Sequence, residues 1–174
     1  MHLNPITGAW NFYGPFLASL RRATNSSSPH DVIDAVVRRA RSSQQAQYRQ
    51  LATWSHRWLA ATRATQISAR ATSWTRGDLT VALRSLTGLR QPDGGTDVVP
   101  PCMREPGLTG ETAGLALRIL EESVATSGRV CRPVVLNVRQ AQSYRLRRSS
   151  NRNDLDAYLH AEVAKHVAHW RAAA

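Results

Sequence analysis

Lysine is almost missing from this chain: of 23 basic residues only Lys165 is not arginine, so positive charge is presented as guanidinium forks, which grip phosphate in a bidentate way. Cysteine is nearly as scarce. Cys102 and Cys131 stand alone with no CxxC spacing, which excludes a disulfide framework and a cysteine zinc site and leaves buried free thiols as the expectation. No run approaches eighteen apolar residues, and Met1-His2-Leu3-Asn4-Pro5 lacks a charged region followed by an apolar one. The chain is therefore expected to be cytoplasmic, with no membrane association. Ser143, Ser149 and Ser150 have no GxSxG context, and Gly94-Gly95 has no strand-to-helix frame for a phosphate loop. Neither serine hydrolysis nor nucleotide cradling is indicated.

Acid is missing where base is densest. The total charge of +11 divides unevenly along the 174 residues. Residues 1–90 hold twelve arginines against Asp31, Asp34 and Asp78, a net +9. Residues 91–127 hold Arg104 and Arg118 against six acids, a net −4, while 128–152 hold seven arginines and no acid. Residues 153–174 return to −1, with Lys165 and Arg171 against Asp154, Asp156 and Glu162. Clustered basic charge binds phosphate backbones through counterion release, independently of base sequence. The competing expectation is a basic protein docked on an acidic protein partner.

The length suits one domain with a core that needs neither disulfide nor metal. Trp10-Asn11-Phe12-Tyr13-Gly14-Pro15-Phe16-Leu17 reads as an aromatic packing element, with Pro15 opening a short helix to about Arg22. Ser28-Pro29-His30-Asp31 reads as a capped helix start followed by the stripe Val32, Ile33, Val36, Val37 and Ala40, with Arg38, Arg39 and Arg41 on the other side. A longer helix is expected from Ser43 to about Gln66, because Tyr48, Leu51, Trp58, Leu59 and Thr62 recur at three and four. Leu79, Val81 and Leu83 then alternate, and Gln91-Pro92-Asp93-Gly94-Gly95 signals a turn before Val98-Val99, so 78–99 reads as one hairpin closed off by Pro100-Pro101. Thr109 and Glu111 open a helix with the stripe Ala113, Leu117, Leu120 and Val124. The last helix is expected to be capped by Asn153, with the stripe Leu155, Leu159, Val163, Val167 and Trp170. The fold class is thus α+β: N-terminal helices, a β-hairpin, a helix, a strand and a C-terminal helix, the small sheet flanked by helices. A single domain over 1–174 is expected, helical over 1–70 and α/β over 71–174.

The run Pro133-Val134-Val135-Leu136-Asn137-Val138 reads as a strand covered on both faces. The residues after it read as an exposed basic arm. The candidate nucleic-acid contacts are Arg139, Arg145, Arg147 and Arg148 with Tyr144 for stacking, Arg129, Arg132 and Arg152 around them, and Arg49, Trp54 and Arg57 on the third helix. Glu162, His166 and His169 share a helical face but read as solvated, so no metal or other cofactor is expected. The leading expectation is a non-catalytic protein that grips the phosphate backbone of DNA or RNA as a subunit of a larger nucleoprotein complex. The alternatives are a scaffold subunit on an acidic partner and, least favoured, a metal-dependent nuclease.

Trp74 before Gly77-Asp78-Leu79-Thr80-Val81, Gly88-Leu89 before Val98-Val99, and Val138-Arg139, Asp154-Leu155 and Trp170-Arg171 resemble, in residue and spacing, a group of uncharacterised proteins of GC-rich bacteria over about residues 70–174. The element order is similar to that of restriction-endonuclease-like PD-(D/E)XK domains. That likeness implies a hairpin whose carboxylates hold Mg²⁺ beside a lysine that polarises the phosphate. Leu86 stands where that pattern has an acid and Pro100 where it has the lysine, leaving Asp78, Asp97 and Glu105 as the available acids. The resemblance therefore implies a version without catalysis.

Overall fold

The computed structural model describes residues 12–84, 86–103, 108–126, 128 and 130–173. Trp10 and Asn11 of the expected aromatic element, with Glu105 and Arg129, lie outside them. The fold is α+β. No helix among the described residues is long and apolar enough to cross a membrane.

Proline opens the first two helices, α1 (Gly14–Ala23) and α2 (Pro29–Arg38), at positions where its missing N–H is no loss. Ser28 stands at the α2 N-cap without a side-chain cap; its own N–H donates to Ser26 Oγ. Helix α3 (Ser42–Thr62) stops short of the expected Gln66, because Arg63 turns left-handed at φ 44° and Thr65–Ile67 runs extended as β1. The Asn25 side-chain amide pins that strand by accepting from Gln66 N–H and donating to its carbonyl.

The expected single hairpin over 78–99 is two hairpins. Strands β2 (Thr72–Arg76) and β3 (Leu79–Leu83) pair with each other around the two-residue turn Gly77-Asp78, with Gly77 at φ +54°. Strands β4 (Thr87–Arg90) and β5 (Thr96–Val99) form the second, closed by 91–95. The alternation at 79–83 was a true strand signal, but the nearer glycine turn supplied its partner.

Pro100 does not end the sheet. Past it the chain continues as β6 (Pro101–Cys102), and past Val134 strand β7 (Arg132–Pro133) continues as β8 (Val135–Asn137). Val134 N–H donates to Val98 O and Leu136 N–H to Pro100 O, so bonding bridges both breaks. The resulting order is β1, β4, β5–β6, β7–β8 and β9 (Gln142–Tyr144), with β7–β8 parallel to β5–β6. The parallel pair is joined by helix α4 (Gly110–Thr126), as a parallel connection requires.

Phe16, Leu20, Ile33, Tyr48, Leu51 and Trp58 from α1–α3 pack on Leu89, Val99, Val134 and Leu136. Val98 and Leu86 pack instead with Leu120 of α4. Each such side chain contributes about 1.5–3 kcal/mol on burial. Gly88 must remain without a Cβ, which would come within 2.9 Å of Ile67 on β1.

The last helix, α5 (Arg152–Ala172), departs most from expectation. Its cap is Asn151, whose side chain accepts from Asn153 N–H, and of its apolar stripe only Leu159 is buried. Trp170 is 57% exposed. The free thiols Cys102 and Cys131 are half-buried rather than buried.

Candidate nucleic-acid interface

The central strand is buried as read, from Val134 to Val138, but burial continues one residue too far for an arm that starts at its end. Arg139, in a 3₁₀ turn (Val138–Gln140), is 5% exposed. Its Nε donates to Met103 O at 2.8 Å, and its other nitrogens reach Gln47 and Gln50 of α3 and the Tyr13 hydroxyl. The expectation that this arginine leaves the core is corrected: α3 lies over the turn and supplies amide acceptors that make its burial affordable.

Arg145 of the arm and Arg132, before the central strand, converge on Asp97 of β5, which is 1% exposed. Arg132 Nε donates to its Oδ1 at 2.8 Å, Arg145 NH2 to its Oδ2 at 2.6 Å, and Gln91 Nε2 to its Oδ2 at 2.8 Å. Arg132 also pairs with Asp93 at 2.7 Å. Burial alone pushes the Asp97 carboxyl up, but the hydrogen bonds from Arg145 and Arg132 outweigh it and hold the group below the ordinary aspartate range. The Arg132 guanidinium is correspondingly held more firmly protonated by Asp93 and Asp97.

A second ion-pair cluster joins α4, α5 and β2. Arg118 grips Asp156 with two parallel bonds, Nε to Oδ1 at 2.8 Å and NH2 to Oδ2 at 2.9 Å, and also contacts Glu121 and Glu122. Arg152 forks onto Glu121, and Arg76 bridges Glu122 and Asp156 while lying 5.1 Å from the centre of the Trp74 ring. The Arg118 fork lowers the Asp156 pKa, and Arg152 lowers that of Glu121. The stretch 128–152 lacks acids of its own, yet the acidic segment before it folds onto its arginines.

The remaining candidates face outward. Arg147 and Arg148 are exposed at the arm's tip, where Arg147 and Ser150 exchange hydrogen bonds that close the turn. Among the described residues no hydrogen bond or ion pair engages either guanidinium. Tyr144 is half-buried, its hydroxyl 3.0 Å from Leu108 O, and it lines a cleft of about 880 Å³ with Arg147, Leu155 and Tyr158. Arg49 and Arg57 are exposed on α3, the Arg49 guanidinium donating to Gln45 Oε1, and Trp54 is half-buried on its flank. These positions are not brought together with Arg147 and Arg148 into one patch by any shared contact.

The sequence reading gave the arginine faces of the second and third helices to phosphate contacts but missed the groove of about 690 Å³ between α1, α2 and the start of α3, lined by Arg21, Arg22, Arg39 and Arg41 and by no carboxylate among the described residues. The signal was the run of arginines at 38–41, which only the helix packing turns into a concave surface. No protein-family model matches the chain, and neither a curated protein nor a solved structure matches it.

Proposed function

We propose that this chain is a cytoplasmic, non-catalytic nucleic-acid-binding protein that holds phosphate backbones, acting beside other protein subunits in a nucleoprotein complex. One observation carries the reading: the charge surplus is on the outside. Arg76, Arg118, Arg132, Arg145 and Arg152 are engaged with five carboxylates, Asp93, Asp97, Glu121, Glu122 and Asp156, so the C-terminal ion-pair clusters are neutral as a set. The excess rests on exposed arginines such as Arg38, Arg39, Arg57, Arg147 and Arg148, which no carboxylate among the described residues engages. Such charge attracts a polyanion strongly at low salt.

The non-catalytic part of the reading is supported by the acids. Asp97 is saturated by Gln91, Arg132 and Arg145, and Asp78, on the separate β2–β3 hairpin, pairs with Arg171. The order hairpin, α4, parallel strand favours the fold-level likeness to restriction-endonuclease-like domains, without their acid and lysine. Exposed Tyr158 and Trp170 on α5 favour a protein partner as well.

Labelled single- and double-stranded DNA and RNA, titrated from low to physiological salt, test the reading. The expected result is binding at low salt that falls linearly on a log–log plot, with the oligonucleotides left intact when Mg²⁺ is added. No binding at low salt, or affinity indifferent to salt, overturns it, and Mg²⁺-dependent cleavage overturns its non-catalytic part.

A further inference from the structure

The groove between α1, α2 and α3 collects positive charge from three separate elements. Arg22 lies in the last turn of α1, Arg39 is the C-cap of α2, and Arg41 is the N-cap of α3. Arg39 and Arg41 are exposed and, like Arg22, unengaged by any acid among the described residues; the Arg22 guanidinium donates to Ser19 Oγ at 3.0 Å. The acids of α2 do not offset them: Asp34 is directed to His56 on α3 at 3.4 Å, and Asp31 lies outside the groove's lining.

Arg41 is unfavourably placed for the isolated chain. It caps the positive end of a 21-residue helix that has no acid in its first turn, so a cation meets the positive pole of the helix dipole. An anion in the groove offsets both. Beside the charges runs an apolar wall, Val32 and Val36 one turn apart on α2, and the floor carries the buried Tyr48. Guanidiniums next to an apolar wall, in a volume suited to a small ligand, match a nucleotide with its phosphate on the arginines and its base on the valines.

We propose that this groove holds a stretch of single-stranded nucleic acid, its phosphates on Arg22, Arg39 and Arg41 and an unpaired base against Val32 and Val36. The inference rests on the proposed function and narrows it, since a base can reach the valines only from an unpaired strand. The arm tip, Arg147 and Arg148, is then a second and separate contact.

The test is a salt titration of fluorescently labelled single-stranded DNA and RNA, and of a duplex, against wild type and Arg22→Ala/Arg39→Ala/Arg41→Ala. For single strands the variant's log–log slope should be shallower by about two, at roughly 0.7 per phosphate, with affinity at about 0.1 M salt lower by about a hundredfold. Its circular dichroism should match wild type. Should the triple variant fail to fold, Arg39→Ala and Arg41→Ala alone should each flatten the slope by about 0.7. Wild-type binding with an unchanged slope in the variants overturns the groove and leaves the proposed function standing. Equal losses for duplex and single strand overturn the single-strand assignment, and no wild-type binding to any oligonucleotide overturns both readings.

Discussion

Asp97 shows how one residue decides the meaning of several others. It is 1% exposed, yet the hydrogen bonds from Arg145 and Arg132 keep it ionised against the cost of burial. A carboxyl with a lowered folded pKa adds stability that is present above the unfolded aspartate value, near pH 3.9, and is lost as pH falls through the lower folded value. Asp97→Asn removes that contribution. At pH 7 it should destabilise the fold by about 3 kcal/mol, the low end for breaking a buried pair, because both arginines are half-exposed and can turn to water. Urea unfolding from pH 7 to 3 should show the gap to wild type closing below about pH 4. A gap that stays constant with pH contradicts this role. Arg132 and Arg145 were legible as basic residues, but not as partners of Asp97, since they lie 35 and 48 residues from it in the chain.

Among the elements, α5 is the one held by charge more than by apolar packing. Leu159 is its only buried residue, and its first turns are tied down by the Arg118–Asp156 fork and the Arg152–Glu121 pair. Asp156→Asn should therefore loosen this helix selectively. Hydrogen exchange should lose at least tenfold in protection over 154–165, with little change in β4, β5 and β8, and urea stability should fall by about 1.5–3 kcal/mol, the range for a hydrogen bond to a charged group. Uniform loss of protection across the sheet contradicts the separate tethering of α5. The stripe Leu155, Leu159, Val163, Val167 and Trp170 identified this helix correctly by its period. Period says which residues share a face; it does not say whether anything lies opposite that face, and beyond Leu159 too little does.

For the molecule as a whole, net charge and its placement are separate quantities. Arg147→Ala/Arg148→Ala should leave the thermal midpoint unchanged and flatten the salt dependence of duplex binding by about two, at roughly 0.9 per phosphate. Arg132→Ala/Arg145→Ala removes the same formal charge but strips Asp97 of both guanidiniums, so it should instead cost about 3 kcal/mol in urea unfolding. Equal stability in the two variants contradicts the division between internal and outward arginines. An unchanged slope in the first variant removes the arm tip from the binding surface.

Local rules sufficed for the helix stripes of α2 to α4, the buried run 134–138, the closing turn at 91–95 and the α+β class, because each depends on residues within about one turn or one pleat. The same rules placed Pro100 at a strand's end and joined 79–83 to 96–99, since neither strand pairing nor a break bridged by a neighbour is visible along the chain. The total surplus of positive charge was settled by composition alone. Which arginines remain outside was settled by folding, because carboxylates 80 residues away and more, as Asp156 is from Arg76 and Asp78 from Arg171, are brought within hydrogen-bond reach only when the helices and sheet pack.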